Sequence, residues 1–270
     1  MKHAWVVLFA LLAISSASLA QRRMPPILAG VGIDQRLNAQ IPINLNFSDE
    51  QGEQVRLGSF FGKHPVLMVP VYYTCPMLCN VTMQGVVAAL RPLSLKPGRD
   101  FEVVVFSFNP AETPSVARAA RDRYTSLYSR NGSTAGWHFL TGTPDTIRAL
   151  TDAIGFHYRY DPVSKMYVHQ AGAMILTPAG KLARYFYGVE FEPKDFKLGL
   201  IDASNGRIGS PVDKLLLLCC HYDPTTGKYT SFVLNTLRAG AIVTLICMAL
   251  GLAFFWKLDR LGRSRGGSNA

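Results

Sequence analysis

Residues 65–79 read PVLMVPVYYTCPMLC. Its first nine residues are all apolar or aromatic and rich in Val and Tyr, the composition of a strand buried on both faces at the centre of a sheet. Pro70 is the one blemish, because proline cannot donate to a strand ladder. The run then breaks into Thr74-Cys75-Pro76-Met77-Leu78-Cys79. The apolar residues Leu78, Val81, Val86, Ala89 and Leu90 are compatible with an amphipathic helix over 76–90, with Pro76 well suited to its first position. A cysteine pair at the junction of a buried strand and a helix therefore organises the reading of the rest of the chain.

Downstream, Phe101 to Phe108 (FEVVVFSF) predicts a second buried strand, and Thr113-Pro114 opens a helix to about Ser129 with Arg118, Arg121 and Arg123 on its wet face. Trp137 to Leu140 predicts a short strand, and Thr143-Pro144-Asp145 starts a helix ending near Ile154-Gly155. Phe156 to Tyr160 and Ala171 to Leu176 read as strands. The turn Thr177-Pro178-Ala179-Gly180 leads into a last strand over Lys181 to Tyr187. The order β-α-β-α-β-α-β-β predicts an α/β domain with a mixed sheet flanked by helices, the order of a thioredoxin-like domain. Its expected limits are 41–200, with 21–40 as a leader and 201–237 as a juxtamembrane connector.

The two ends read differently. Met1-Lys2-His3, an apolar stretch from Ala4 to Ile14 and small residues ending Ser18-Leu19-Ala20 have the three regions of a secretory signal peptide, expected over 1–20. Ala239 to Trp256 are eighteen consecutive residues without a charge. At about 1.5 Å per residue they span roughly 27 Å, which predicts one C-terminal transmembrane helix over 238–257. Lys257, Arg260, Arg263 and Arg265 follow, opposed only by Asp259, so the tail 258–270 is expected in the cytoplasm and the main domain in the periplasm or another extracytoplasmic space.

That division accounts for the charge. The 270-residue chain carries 28 Lys+Arg against 18 Asp+Glu, a net +10. Half of the excess belongs to Lys2 and the residues from Arg238 onward, so it reports targeting and orientation. No basic cluster interleaved with aromatics remains, and nucleic-acid binding is set aside. The five cysteines, Cys75, Cys79, Cys219, Cys220 and Cys247, are too few for a disulfide scaffold.

A thiol at a helix N-terminus is activated by the unpaired N–H groups there, so Cys75 is the expected thiolate. Spacing i, i+4 puts the two side chains on one helix face with Cβ atoms roughly 5–6 Å apart. A disulfide needs nearer 3.8 Å, so forming one would require the first turn to bend. Two sulfurs sharing a metal at about 2.3 Å fit the wider gap more easily. The spacing tolerates both redox and metal chemistry and leans toward metal. Soft thiolates favour Cu(I), Zn or an Fe–S cluster, and no second Cys pair completes a sulfur site, so the missing ligand is expected to be a histidine. His3 leaves with the signal, and His64 stands at a strand entrance on the surface. His138 and His157 lie in strand-like runs as core or edge imidazoles, whereas His169 sits in a loop entering the sheet, where binding residues cluster.

Tyr73 to Cys79 followed far downstream by Val168-His169-Gln170-Ala171-Gly172 and Thr177-Pro178-Ala179-Gly180-Lys181 resembles the Sco/SenC family, over about residues 40–195. That family has a thioredoxin-like fold, a Cys-Pro-x-x-Cys motif and a later His before a strand that ends in a Pro-x-Gly turn. The resemblance implies a copper ion bound by Cys75, Cys79 and His169 and delivered to subunit II of cytochrome c oxidase, for its dinuclear copper site. It also implies a periplasmic copper donor and a thiol reductant as partners. A parallel implication is thiol–disulfide exchange by Cys75 and Cys79 on the cysteines of the acceptor, which would make the protein an oxidoreductase rather than a carrier without turnover. A peroxidase of peroxiredoxin type is the third and weakest option.

The chain departs from the family in several places. The Cys-x-x-x-Cys insert, Pro76-Met77-Leu78, lacks the acidic residue that many members carry, and Asn80 stands where many have proline. The missing carboxylate bears on Cu(II) more than on Cu(I). Met77 offers either a soft auxiliary ligand or an apolar contact surface. The C-terminal anchor and Cys219-Cys220-His221 resemble a bacterial subgroup found with heme-copper oxidases. These three residues read either as an accessory copper site or as a turn-rich collar whose thiols pack. Cys247 falls inside the apolar segment.

Overall fold

The computed structural model describes Leu28, residues 30–129 and 134–209, the pairs 222–223 and 228–229, residues 240–254 and Trp256. The expected signal peptide over 1–20, the tail 258–270 expected in the cytoplasm, and Cys219, Cys220 and His221 lie outside the described residues.

A five-stranded mixed sheet organises the domain. Its members are β4 (Val66–Val71), β5 (Glu102–Ser107), β6 (Trp137–Leu140), β10 (Gly172–Leu176) and β11 (Leu182–Tyr187), in the order β11-β10-β4-β5-β6. β4, β5 and β6 run parallel, and β10 and β11 are antiparallel to their neighbours. All six residues of β4 and all five of β10 are buried. That is why both read as unbroken apolar runs: a central strand covered on both faces has no wet side to alternate with. Pro70 costs no ladder hydrogen bond. β10 pairs only with Val66 to Met68, so the edge that Pro70 turns toward β10 lies beyond the end of that ladder.

The remaining strands are two or three residues long. β1 (Gly32–Ile33) pairs with β7 (Phe156–His157), β2 (Asn46–Ser48) with β3 (Gln54–Arg56), and β8 (Arg159–Asp161) with β9 (Met166–Val168). Thus Gly32 and Ile33, within the stretch expected as a leader, are held in the fold, and Ile33 is buried.

Four helices accompany the main sheet. α1 (Leu78–Leu90) packs against α2 (Pro114–Tyr128) and α4 (Pro193–Ser204), while α3 (Pro144–Ala153) packs beside β7. α2 and α3 begin as the sequence predicts, each with proline in its first turn after a threonine cap. α4 was not anticipated, although Pro193 and Asp195 in its first turn are helix-start signals. Its contact with the sheet needs Gly199, where an added Cβ would lie 2.9 Å from Ile175 Cδ1. Arg121 also differs from expectation: instead of facing water freely, it pairs at 3.0 Å with the buried carboxylate of Glu50.

Beyond the domain, residues 240–254 are helical and almost wholly exposed, Cys247 included. Among the described residues no helix is long and apolar enough to cross a membrane.

Candidate metal centre

The topology brings the Cys75 turn and His169 to the same end of the sheet. β4 ends at Val71, and the chain turns through Tyr72 to Met77 before α1 begins. Because β10 is antiparallel to β4, with Met174 opposite Met68 and Leu176 opposite Val66, residues preceding β10 pass beside residues following β4. His169 lies there, between β9 and β10. A sulfur, a second sulfur and an imidazole nitrogen from Cys75, Cys79 and His169 lie within 4.8 Å of one another. Cys79 Sγ and His169 Nε2 are 3.3 Å apart.

One expectation is corrected by the local backbone. α1 starts at Leu78 with Met77 as its cap, so Pro76 is not in the helix and Cys75 stands on the preceding turn. Only Cys79 is helical; the pair does not share a helix face. The turn is held out of helical geometry by sideways hydrogen bonds. The Asn80 side-chain amide donates to the Cys75 carbonyl at 2.8 Å, and the Cys79 N–H points at Cys75 Sγ at 3.4 Å. The bend that a helical pair would have needed in order to bring its sulfurs together is therefore already built in.

Both thiols are nearly buried, Cys75 at 5% and Cys79 at 3% exposure, and both are free. Their proton affinities diverge. Cys75 falls from the ordinary thiol value to about 3, chiefly because the Cys79 side chain hydrogen-bonds to its thiolate. The Cys79 N–H and the Tyr72 side chain assist, and together these donors outweigh desolvation. Cys79 moves the other way, raised first by burial and then by its role as donor to Cys75. Cys75 is thus the thiolate that the sequence predicts, but side-chain hydrogen bonds, rather than the helix N-terminus, account for it.

His169 is set by two contacts. Its Nδ1 lies 2.9 Å from the Gln170 carbonyl, an arrangement that puts the ring proton on Nδ1 and leaves the Nε2 lone pair toward Cys79. Phe108 meets the ring at a centroid distance of 5.0 Å and Tyr72 at 6.0 Å, both edge-on. Tyr72, Phe108, Phe156 and Tyr167 form an apolar wall behind the imidazole. Two other histidines are satisfied elsewhere, His138 by Glu102 at 3.0 Å and His157 by Asp34 at 2.9 Å.

The donor set suits a soft ion. Two sulfurs bound to one ion at about 2.3 Å sit roughly 4 Å apart at trigonal angles, within the spread observed here. Met77 is 66% exposed and lies with Pro76, Val81, Arg123 and Leu127 along an open groove beside the thiols.

Sequence reasoning missed Glu112. It is 8% exposed, and its carboxylate accepts hydrogen bonds from the peptide groups immediately before Cys75. The only sequence signal was an acid in the Asn109-Pro110-Ala111-Glu112-Thr113 loop, which reads as a charge near the N-terminus of α2.

The sequence profile of the SCO1/SenC family matches residues 33–197. No curated protein is significantly similar to the chain. Among solved structures, a protein of Aquifex aeolicus VF5 is 25% identical with a TM-score of 0.54, over 65% of this chain and 98% of its own. BsSco, described as a member of the Sco family of cytochrome c oxidase assembly proteins, is 21% identical with a TM-score of 0.48, over 64% and 97%. The copper-bound ScoI of Arabidopsis thaliana is 16% identical with a TM-score of 0.49, over 61% and 99%. A match over more than half of its length, joined to the sheet order and the Cys75–Cys79–His169 cluster already described, makes this chain a member of the SCO1/SenC family.

Proposed function

We propose that the protein is a copper metallochaperone that carries Cu(I) on Cys75, Cys79 and His169 and passes it to the dinuclear copper site of cytochrome c oxidase subunit II. The observation that carries this reading is the two-sulfur, one-nitrogen cluster within 4.8 Å, assembled from segments 90 residues apart. Thiol–disulfide exchange has no use for a histidine held by Gln170 with its free nitrogen toward a sulfur; a three-coordinate soft ion does. Copper is cargo here. Cys75 meets it as a thiolate, Cys79 yields its proton as the ion arrives, and His169 Nε2 supplies a neutral third donor.

The acceptor approaches from the open side, where Met77, Val81 and Leu127 form an exposed apolar lip next to Arg123. An incoming thiolate replaces one donor at a time, so the ion never leaves coordination. The uncharged stretch 239–256 anchors the protein in a membrane with its main domain in the periplasm or another extracytoplasmic space. Cys219, Cys220 and His221 are the proposed accessory site.

The test is anaerobic Cu(I) loading of the reduced full chain. About one ion per chain is expected, and His169→Ala should weaken binding while leaving the Cys75–Cys79 thiols reactive. Equal affinity in wild type and His169→Ala would sink the metal-site reading.

A second reading, thiol–disulfide exchange on the oxidase cysteines, is favoured by the thiolate character of Cys75. Its deciding measurement is the Cys75–Cys79 reduction potential. A value well above that of the acceptor disulfide excludes it, because the dithiol would then be too weak a reductant.

A further inference from the structure

Glu112 is a buried carboxylate for which, among the described residues, the ion pairs include no cationic partner. Burying a charge is costly unless hydrogen bonds replace its water. Here four donors do so. The Tyr73 N–H donates to Oε2 at 2.8 Å, and the Thr74 N–H donates to Oε1 at 2.7 Å. The Thr74 hydroxyl donates to Oε1 at 2.7 Å and the Ser107 hydroxyl to Oε2 at 2.6 Å. Ser107 is itself fixed, since its oxygen accepts the Asn109 N–H at 3.0 Å. One carboxylate therefore ties the end of β5 and the loop entering α2 to the two peptide groups that precede Cys75.

The far side of the same turn is tied as well. Asn80 holds the Cys75 carbonyl, and Asn80 Oδ1 accepts from the Tyr124 hydroxyl at 2.7 Å. Cys75 is thus gripped before and after its own Cα, although it belongs to no helix or strand. The two grips differ in charge. The Asn80 side also carries the Arg123 guanidinium, whose Nη1 donates to Asn80 Oδ1 at 3.2 Å, whereas the Glu112 side brings a negative charge beneath the thiols. The Cys-x-x-x-Cys insert itself has none, being Pro76-Met77-Leu78.

We propose that Glu112 is a positioning residue of the copper site: it holds the Tyr73–Thr74 peptide groups so that Cys75 Sγ stays opposite Cys79 and His169, and its charge favours a cation between the two sulfurs. This rests on the copper reading above. Partners that orient a ligand from outside the coordination sphere typically change metal affinity by about tenfold to a hundredfold.

The test compares Glu112→Gln and Thr74→Val with wild type, in the full reduced chain, by anaerobic competition with the chromophoric Cu(I) chelator bicinchoninate. Glu112→Gln keeps the shape but puts an amide NH2 against hydrogen-bond donors and removes the charge. A roughly tenfold to hundredfold weaker Cu(I) affinity is expected with the near-ultraviolet dichroism of the copper-free protein unchanged. The X-ray absorption spectrum of its bound copper should show fewer than two sulfurs, a change that a general loss of stability would not produce. Thr74→Val removes one of the four donors at an exposed position and should weaken Cu(I) by about threefold to tenfold.

Affinity within twofold of wild type in both variants, or in Thr74→Val alone if Glu112→Gln does not fold, overturns the proposal. His169→Ala run alongside separates the two failures. If it weakens copper while the Glu112 and Thr74 variants do not, the positioning role is wrong and the copper site stands. If none of the three changes affinity, the copper site itself is wrong.

Discussion

Raising the pH from 7 to 8 should tighten Cu(I) binding by about tenfold, and not by a hundredfold. The argument counts protons. Affinity rises tenfold per pH unit for each proton released on binding, equivalent to about 1.4 kcal/mol. Two ordinary thiols would both be largely protonated at pH 7 and would release two protons, giving a hundredfold rise. Here Cys75 has a pKa of about 3, set chiefly by the Cys79 hydrogen bond, and is already a thiolate. Cys79 is raised, chiefly by burial, and keeps its proton until the ion arrives. One proton is therefore released across this window. The sign is fixed: higher pH removes a competing proton from Cys79, so binding strengthens with pH. The assay is competition against a Cu(I) chelator of known pH dependence, on reduced protein without oxygen. Calorimetry in two buffers of different ionisation enthalpy counts the proton directly. A hundredfold rise, or two protons in the calorimeter, would refute the assignment of opposite protonation states to the two cysteines. A pH-independent affinity would refute the raised pKa of Cys79.

Other consequences are simpler to read out. His169→Ala removes one of three donors together with the ring contacts to Phe108, Tyr72 and Phe156, so Cu(I) affinity should fall at least a hundredfold, about 2.7 kcal/mol, while the copper-free protein still unfolds cooperatively with its melting temperature lowered by a few degrees. Asn80→Ala deletes the hydrogen bonds to the Cys75 carbonyl and from Tyr124. It should cost about 1–2 kcal/mol, seen as a melting point lower by roughly 2–6 °C. Gly85→Ala would drive a methyl group into the Val189 carbonyl that α1 packs against. A loss of about 1–3 kcal/mol in denaturant unfolding is expected, and a change under 0.5 kcal/mol would show that this approach can relax freely.

The parts of this fold legible in the sequence are those whose cause is local. β4 and β5 could be read because central strands of a parallel pair tolerate no polar face, and the turn at Gly180 because its φ of +76° suits glycine. The prolines opening α2 and α3 are local signals of the same kind. The start of α1 was misplaced because Pro76 is as acceptable in a helical first turn as in the irregular one it occupies. What decides is the Asn80 bond to Cys75, a contact invisible to periodicity. α4 was overlooked because Gly199 interrupts its apolar stripe, and that glycine makes sense only beside Ile175 and Phe186. At the site, the cysteines announced themselves by spacing, but among the histidines the residues alone only favoured His169. Glu112 was out of reach, since its donors Tyr73 and Thr74 lie 39 and 38 residues away in sequence.

The antiparallel pairing of β10 with β4 has one more consequence. Cys79 and His169 are 90 residues apart and meet only because the two strands lie side by side. An ion bound to both is therefore a removable clasp across the middle of the sheet. A ligand at a hundred times its dissociation constant adds about 2.7 kcal/mol to the stability of the state that binds it. The loaded carrier should accordingly resist proteolysis around residues 162–171 better than the spent one, so that giving up the cargo also loosens the courier and marks it as empty.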